Sequence, residues 1–93
     1  MKSIIQDNEE YCYVCQYPLY GAKDKHHIFE GTANRQKSEE DGCFCYCHRV
    51  CHRWLHDHPR SMLTFKQRTQ RKWQEHYKKT TKDFIKRYGR NYL

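Results

Sequence analysis

The spacing of apolar and polar positions divides the chain into short pieces with different periods. Residues 1–10 have no recurring apolar position and are predicted to form a loose polar arm. Tyr11-Cys12-Tyr13-Val14-Cys15, with Pro18 and Gly21 behind it, reads as a tight knuckle punctuated by turns. Residues 25–29 are short and rich in β-compatible side chains, and end at Glu30-Gly31, which predicts the first strand of a hairpin. Residues 32–41 are polar and are expected to be a connection closing at Gly42. Residues 43–47 then alternate Cys with Phe and Tyr at period two, which predicts the second strand.

From His48 the period becomes helical. Cys51 and Leu55 share a face with His58, and Pro59 stops that helix. Residues 60–79 contain neither Pro nor Gly, and Leu63, Gln70, Trp73 and Tyr77 recur at helical spacing, so a second helix with one modest apolar stripe is expected. Thr80-Thr81 offers an N-cap for a last short helix, Asp83 suits its first turn, Phe84, Ile85 and Tyr88 give it an apolar face, and Gly89 ends it. Trp54, Trp73 and Tyr77 are expected to fill the space between helices. The predicted class is α+β: one domain over residues 11–93, with a knuckle-and-hairpin core at 11–58 followed by two helices at 59–93.

Composition adds a constraint. Ninety-three residues with 37% hydrophobic side chains bury too little apolar surface to hold a fold easily, and the mean hydropathy is −1.24. Six Cys and seven His offer a staple, either disulfides or metal. The N-terminal residues lack the apolar run of a secretory signal and no later stretch is apolar enough to span a membrane, so the expected location is the reducing cytoplasm and the expected staple is zinc rather than disulfides. The formal charge of +7, concentrated in the second half, points to a polyanionic partner; a solvated helical surface is the alternative.

Cys12-X-X-Cys15 has the spacing that aims two thiolates at one tetrahedral ion from a single turn. His48-X-X-Cys51 repeats it, whereas Cys47 to Cys51 is one residue longer. The predicted structural zinc ligands are therefore Cys12, Cys15, His48 and Cys51, with Cys47 in place of His48 as the alternative. Cys43, Cys45 and Cys47 then serve as small buried hydrophobes on one strand face. His52 and His56 stand one helical turn apart, able to reach one ion or simply to face solvent. Neighbouring His26 and His27 on a strand point to opposite faces, so one is free to bind metal while the other works as a base.

Together, Asp24-Lys25-His26-His27-Ile28-Phe29, a long connection, a strand, a knuckle and Cys51-His52-X-X-X-His56 resemble the HNH, or ββα-metal, endonucleases. More narrowly, residues 27–35, 38–42 and the closing 84–93 are similar to small phage and prophage HNH proteins. The resemblance implies a zinc-stabilised treble-clef ββα-metal core and metal-assisted hydrolysis of DNA. It implies His27 as general base and His26, His52 and His56 as ligands of a catalytic divalent ion, whether Mg2+, Mn2+, Ni2+ or Zn2+. It also places His48 where a Cys is usual, and the chain has no Asn in the stretch before the helix where the family carries one; Asn34 lies earlier. Arg35, Arg49 and Arg53 are the expected phosphate contacts, Arg49 and Arg53 being one helical turn apart.

The expected partner is double-stranded DNA. Two other readings share these features: a zinc-finger-like nucleic-acid-binding module that does not cut, and an accessory protein docking on other components of a phage DNA-processing complex. His58 and His76 are expected to pack or cap.

Overall fold

A computed structural model describes residues 2–21 and 23–93. Six elements follow in order: β1 (Asp24–His27), α1 (Thr32–Asp41), β2 (Phe44–Cys47), α2 (Arg49–Asp57), α3 (Pro59–Tyr77) and α4 (Thr81–Tyr88). The strands pair antiparallel with Lys25 opposite Tyr46, His26 opposite Cys45 and His27 opposite Phe44, and Ile28 N–H extends the ladder to the Cys43 carbonyl at 3.0 Å. The class is α+β, with a two-stranded sheet and four helices among the described residues. No helix among the described residues is long and apolar enough to cross a membrane.

One element departs from expectation. Residues 32–41 form helix α1 rather than a connection. They lack an apolar stripe, and α1 buries only Ser38 and Asp41, so hydrophobic periodicity carried no trace of it. Tertiary contacts and its end hold it instead. Gly42 takes a left-handed conformation with φ 78°, and its N–H and that of Cys43 both close on the Ser38 carbonyl. A Cβ at Gly42 would meet the Lys2 carbonyl at 2.5 Å, so glycine is required by approach as well as by φ.

Residue 1 of the expected loose arm lies outside the described residues, and the segment after it is tied down. Ile4 N–H bonds the Gly42 carbonyl at 2.9 Å and the Ser3 hydroxyl bonds the Phe44 carbonyl. Buried Gln6 acts as a side-chain substitute for a strand: its amide donates to the Tyr11 and Tyr46 carbonyls and accepts from Tyr46 N–H at 2.6 Å. The outer edge of β2 is satisfied by these polar groups, which is why a polar segment packs there.

The core gathers Ile28, Phe29, Cys43, Cys45, Trp73, Phe84, Tyr88 and Tyr92. Phe29 sits among Phe84, Tyr88 and Tyr92 at ring-centroid distances of 5.0, 4.5 and 5.5 Å. Cys43, Cys45 and Cys47 are fully buried, and all six cysteines are free thiols. On α3 the predicted stripe holds at Gln70 and Trp73, which are buried, and at Tyr77, which packs on the core; Met62 and Thr69 join it, while Leu63 is exposed. Trp54 is also outside the core, 43% exposed and stacked on His58 with centroids 4.0 Å apart. α4 matches its predicted ends, with a capping box between Thr80 and Asp83 and Gly89 left-handed at its C-cap; Phe84 and Tyr88 are buried and Ile85 is exposed.

Asp41 ties the pieces together. Its carboxylate accepts from Trp73 Nε1 at 2.8 Å, from Tyr88 Oη at 2.7 Å and from Arg87 through two nitrogens at 2.6 and 2.8 Å, while Tyr77 Oη reaches its carbonyl. Burial pushes its pKa up, but the hydrogen bonds from Arg87, Tyr88 and Trp73 outweigh that and hold it below the ordinary carboxylate value. Asp41→Ala strands the buried donors of Trp73 and Tyr88. It is expected to lower the unfolding free energy by about 3 kcal/mol, measured as a shift of the urea midpoint at unchanged slope. An unchanged midpoint would refute the role given to Asp41.

Candidate functional site

The knuckle is built by backbone geometry around Cys12. Cys12 N–H bonds the Tyr17 carbonyl at 2.8 Å, Gln16 N–H bonds the Cys12 carbonyl at 2.9 Å, and Gln16 itself is left-handed with φ 67°. Across from it, His48 caps α2 and Cys51 lies in that helix's first turn. His48 Nε2 is 3.1 Å from the Pro18 carbonyl, which holds the ring and leaves Nδ1 facing the thiols, 3.3 Å from Cys15 Sγ and 3.9 Å from Cys51 Sγ. The donor atoms of Cys12, Cys15, His48 and Cys51 all lie within 4.8 Å of one another. A tetrahedral zinc with ordinary bond lengths separates its donors by ~3.5–3.8 Å. This Cys₃His cluster could hold a structural ion such as zinc. Cys47, the alternative ligand, is buried in the hairpin and is not one of the four.

The thiols are unevenly poised. Burial raises the Cys12 pKa, but hydrogen bonds from the backbone of Cys15, His48 and Val14 overcome it and bring the thiol down to about 6. Burial, with hydrogen bonding to Cys12 and Cys15, pushes Cys51 up to about 12. Cys12 forms a thiolate readily, whereas Cys51 needs a cation beside it to ionise.

A second cluster lies between β1 and α2. His26, His52 and His56 bring one ring nitrogen each to within 4.8 Å of the others. The ring centroids of His26 and His52 are 4.6 Å apart and those of His52 and His56 4.9 Å. His26 Nε2 is buried and, among the described residues, has no hydrogen-bond partner. Burial lowers the His26 pKa to about 3, with repulsion from His52 and His56 adding to it, so the ring is neutral at physiological pH. An orphaned, neutral imidazole nitrogen facing two more imidazoles fits a divalent ion. Asp24 supports the arrangement: Oδ2 is 3.2 Å from His52 Nδ1, leaving His52 Nε2 for the centre, while Oδ1 is 3.4 Å from Arg49 Nε. The hydrogen bond from His52 is the main reason that the Asp24 pKa is lowered.

His27 occupies the other face of β1. Its Nε2 is 2.9 Å from Glu39 Oε1, and Lys25 Nζ is 2.7 and 2.8 Å from the two oxygens of the same carboxylate. A cleft of about 400 Å³ opens over the end of the strand, and Lys25, His26, His27, Arg35, His52 and His56 all contribute to its wall. Of the three arginines expected at phosphate, Arg35 is thus in the cleft, Arg49 is 77% exposed and paired with Asp24, and Arg53 is exposed on α2. His58 bonds the Trp54 carbonyl through Nδ1 and His76 lies edge-on to Tyr77; both are exposed and belong to neither cluster. Asn34 donates to the Tyr88 carbonyl, away from the histidines.

Sequence reasoning passed over Asp24 and Glu39 as working residues. Glu39 was hidden because α1 was read as a connection; the i, i+4 spacing of Arg35 and Glu39 was the available signal. Comparison with known proteins gives no match, whether to family models, to curated proteins or to solved structures.

Because the metal ligands must be deprotonated, ion affinity falls as pH is lowered. Cys12→Ser is expected to lose one tightly bound zinc per chain and with it the cooperative thermal transition, read by elemental analysis and circular dichroism. A variant that keeps its transition without zinc would show that the cluster is not a staple.

Proposed function

We propose that this chain is a metal-dependent DNA endonuclease of the HNH type, with a zinc-stabilised treble-clef ββα-metal core. The observation that carries this reading is the pairing, across one strand, of a three-histidine centre around the unpartnered His26 Nε2 with His27 in the same cleft. A divalent ion held by His26, His52 and His56 would supply charge to a non-bridging phosphate oxygen and to the leaving oxygen of a phosphodiester. His27 takes a proton from water. The oxygen so activated adds to phosphorus, the bond to the leaving oxygen breaks, and that oxygen takes up a proton from solvent. Arg35 holds a phosphate in the cleft, and Arg49 and Arg53 on the exposed side of α2 contact flanking phosphates. Three imidazoles favour zinc or nickel, while magnesium and manganese also support such hydrolysis.

The substrate in this reading is double-stranded DNA. The net charge of +7 makes backbone contacts the main source of affinity, so binding weakens steeply with salt. The free thiols suit a reducing cytoplasm, that of a bacterial host for a phage-type protein. A non-cutting binding module would keep one tight zinc and lack the second site.

Two measurements separate these. With magnesium, manganese, nickel or zinc added, the protein is expected to nick supercoiled plasmid, and His27→Ala is expected to slow nicking by about 100-fold or more while its circular dichroism is unchanged. If the folded variant cuts as fast as the parent, His27 is not the base. Calorimetric titration of zinc-loaded protein should show a second, weaker divalent site that His56→Ala removes; finding no such site in the parent protein would defeat the nuclease reading.

A further inference from the structure

We infer that Glu39 is the positioning residue of His27, fixing which ring nitrogen acts as the base. This rests on the reading of His27 as a base. A neutral imidazole carries one N–H and one lone pair, and a carboxylate only accepts. With Glu39 Oε1 2.9 Å from His27 Nε2, the neutral ring keeps its hydrogen on Nε2, and the basic lone pair belongs to Nδ1. Among the described residues, Glu39 is the only hydrogen-bond partner of the His27 ring.

The carboxylate is itself held. Lys25 Nζ contacts both of its oxygens, at 2.7 and 2.8 Å, and lies 4.1 Å from the centroid of the Phe44 ring. Phe44 is the register partner of His27 and meets its ring edge-on at 6.2 Å. Lys25 and His27 share one face of β1 by strand periodicity, and Phe44 and Glu39 close the box from β2 and α1. His26, between them in sequence, faces α2. The two histidines leave β1 on opposite faces and both line the one cleft at the strand's end, and α1 serves the His27 side twice: Glu39 orients the imidazole, and Arg35, one helical turn earlier, reaches the cleft. When Nδ1 takes a proton from water, the imidazolium keeps its Nε2–H bond to Glu39, whose negative charge offsets the new positive one.

Glu39→Ala and Glu39→Gln in the zinc-loaded protein test this. Nitrogen-15 spectra of the histidines at pH 8 should show the Nε2–H tautomer for His27 in the parent and a mixture of tautomers in Glu39→Ala. Glu39→Gln, which still offers an accepting oxygen, should retain most of the parent tautomer. Kinetically, Glu39→Ala should lower kcat for nicking by about 10–100-fold with KM within about twofold, and Glu39→Gln should recover part of that loss. A fully active Glu39→Ala protein with an unchanged tautomer would overturn the assignment while leaving His27 as base. A loss confined to KM, or accompanied by loss of zinc, would overturn it as well. Absence of nicking in the parent under every metal would overturn both readings together.

Discussion

The hairpin register is the constraint on which the rest depends. In a strand, neighbouring side chains face opposite ways, so the pairing of His26 with Cys45 and His27 with Phe44 decides which histidine looks toward α2 and which toward α1. A slip of one residue would exchange them, placing His27 against His52 and His56 and His26 against Glu39. Two four-residue strands cannot hold a register by themselves. The turn before β2 does much of the holding: Gly42 and Cys43 close on the Ser38 carbonyl, Ile28 pairs with Cys43, and Ile4 bonds Gly42 from the other side. Asp41, next to this turn, is clamped by Trp73, Arg87 and Tyr88. The C-terminal helices are therefore part of what sets the register, although no residue of α4 contributes to the cleft.

The two clusters occupy successive stretches of α2. Cys12 and Cys15 meet His48 and Cys51 where the helix begins, so an ion held there fixes the entry of α2 relative to the knuckle. His52 and His56 follow on the next turns, and their distance from His26 is set by that entry. A chain with so small an aromatic core has little apolar surface to fix a helix by packing; α2 buries only Leu55. An ion coordinated at its N-terminus would supply the missing constraint.

Much of this was legible in the residues, and the exceptions share a cause. The X-X spacings picked out the four residues that cluster at the knuckle, and helix period put His52 and His56 on one face; strand period separated His26 from His27 without saying which of them joins that pair. Capping chemistry placed both ends of α4. Helix α1 escaped because its stabilisation comes from contacts that no local period reports: a glycine end, and an aspartate whose partners lie 32 to 47 residues further along the chain. Leu63, Ile85 and Trp54 were expected inside and each is exposed, whereas polar Gln70 lies fully buried, bonded to Gln74, Asn91 and Tyr92.

The buried His26 nitrogen shows how stability and site chemistry oppose each other. An imidazole nitrogen left without a partner in the interior costs about 1–3 kcal/mol relative to a satisfied one, and a small domain has few kcal/mol to spare. An aliphatic residue at this strand position would pack without that penalty. The histidine is offset only when something fills the space its lone pair faces. Binding of an ion to the folded state alone returns free energy as RT ln(1 + [ion]/Kd), so an ion held by the three histidines would reinforce folding of the hairpin. The same coupling extends through β1: whatever steadies His26 steadies the strand that presents His27 to Glu39. His26 and His27 are therefore linked mechanically through adjacent backbone, even though their side chains leave the strand on opposite faces.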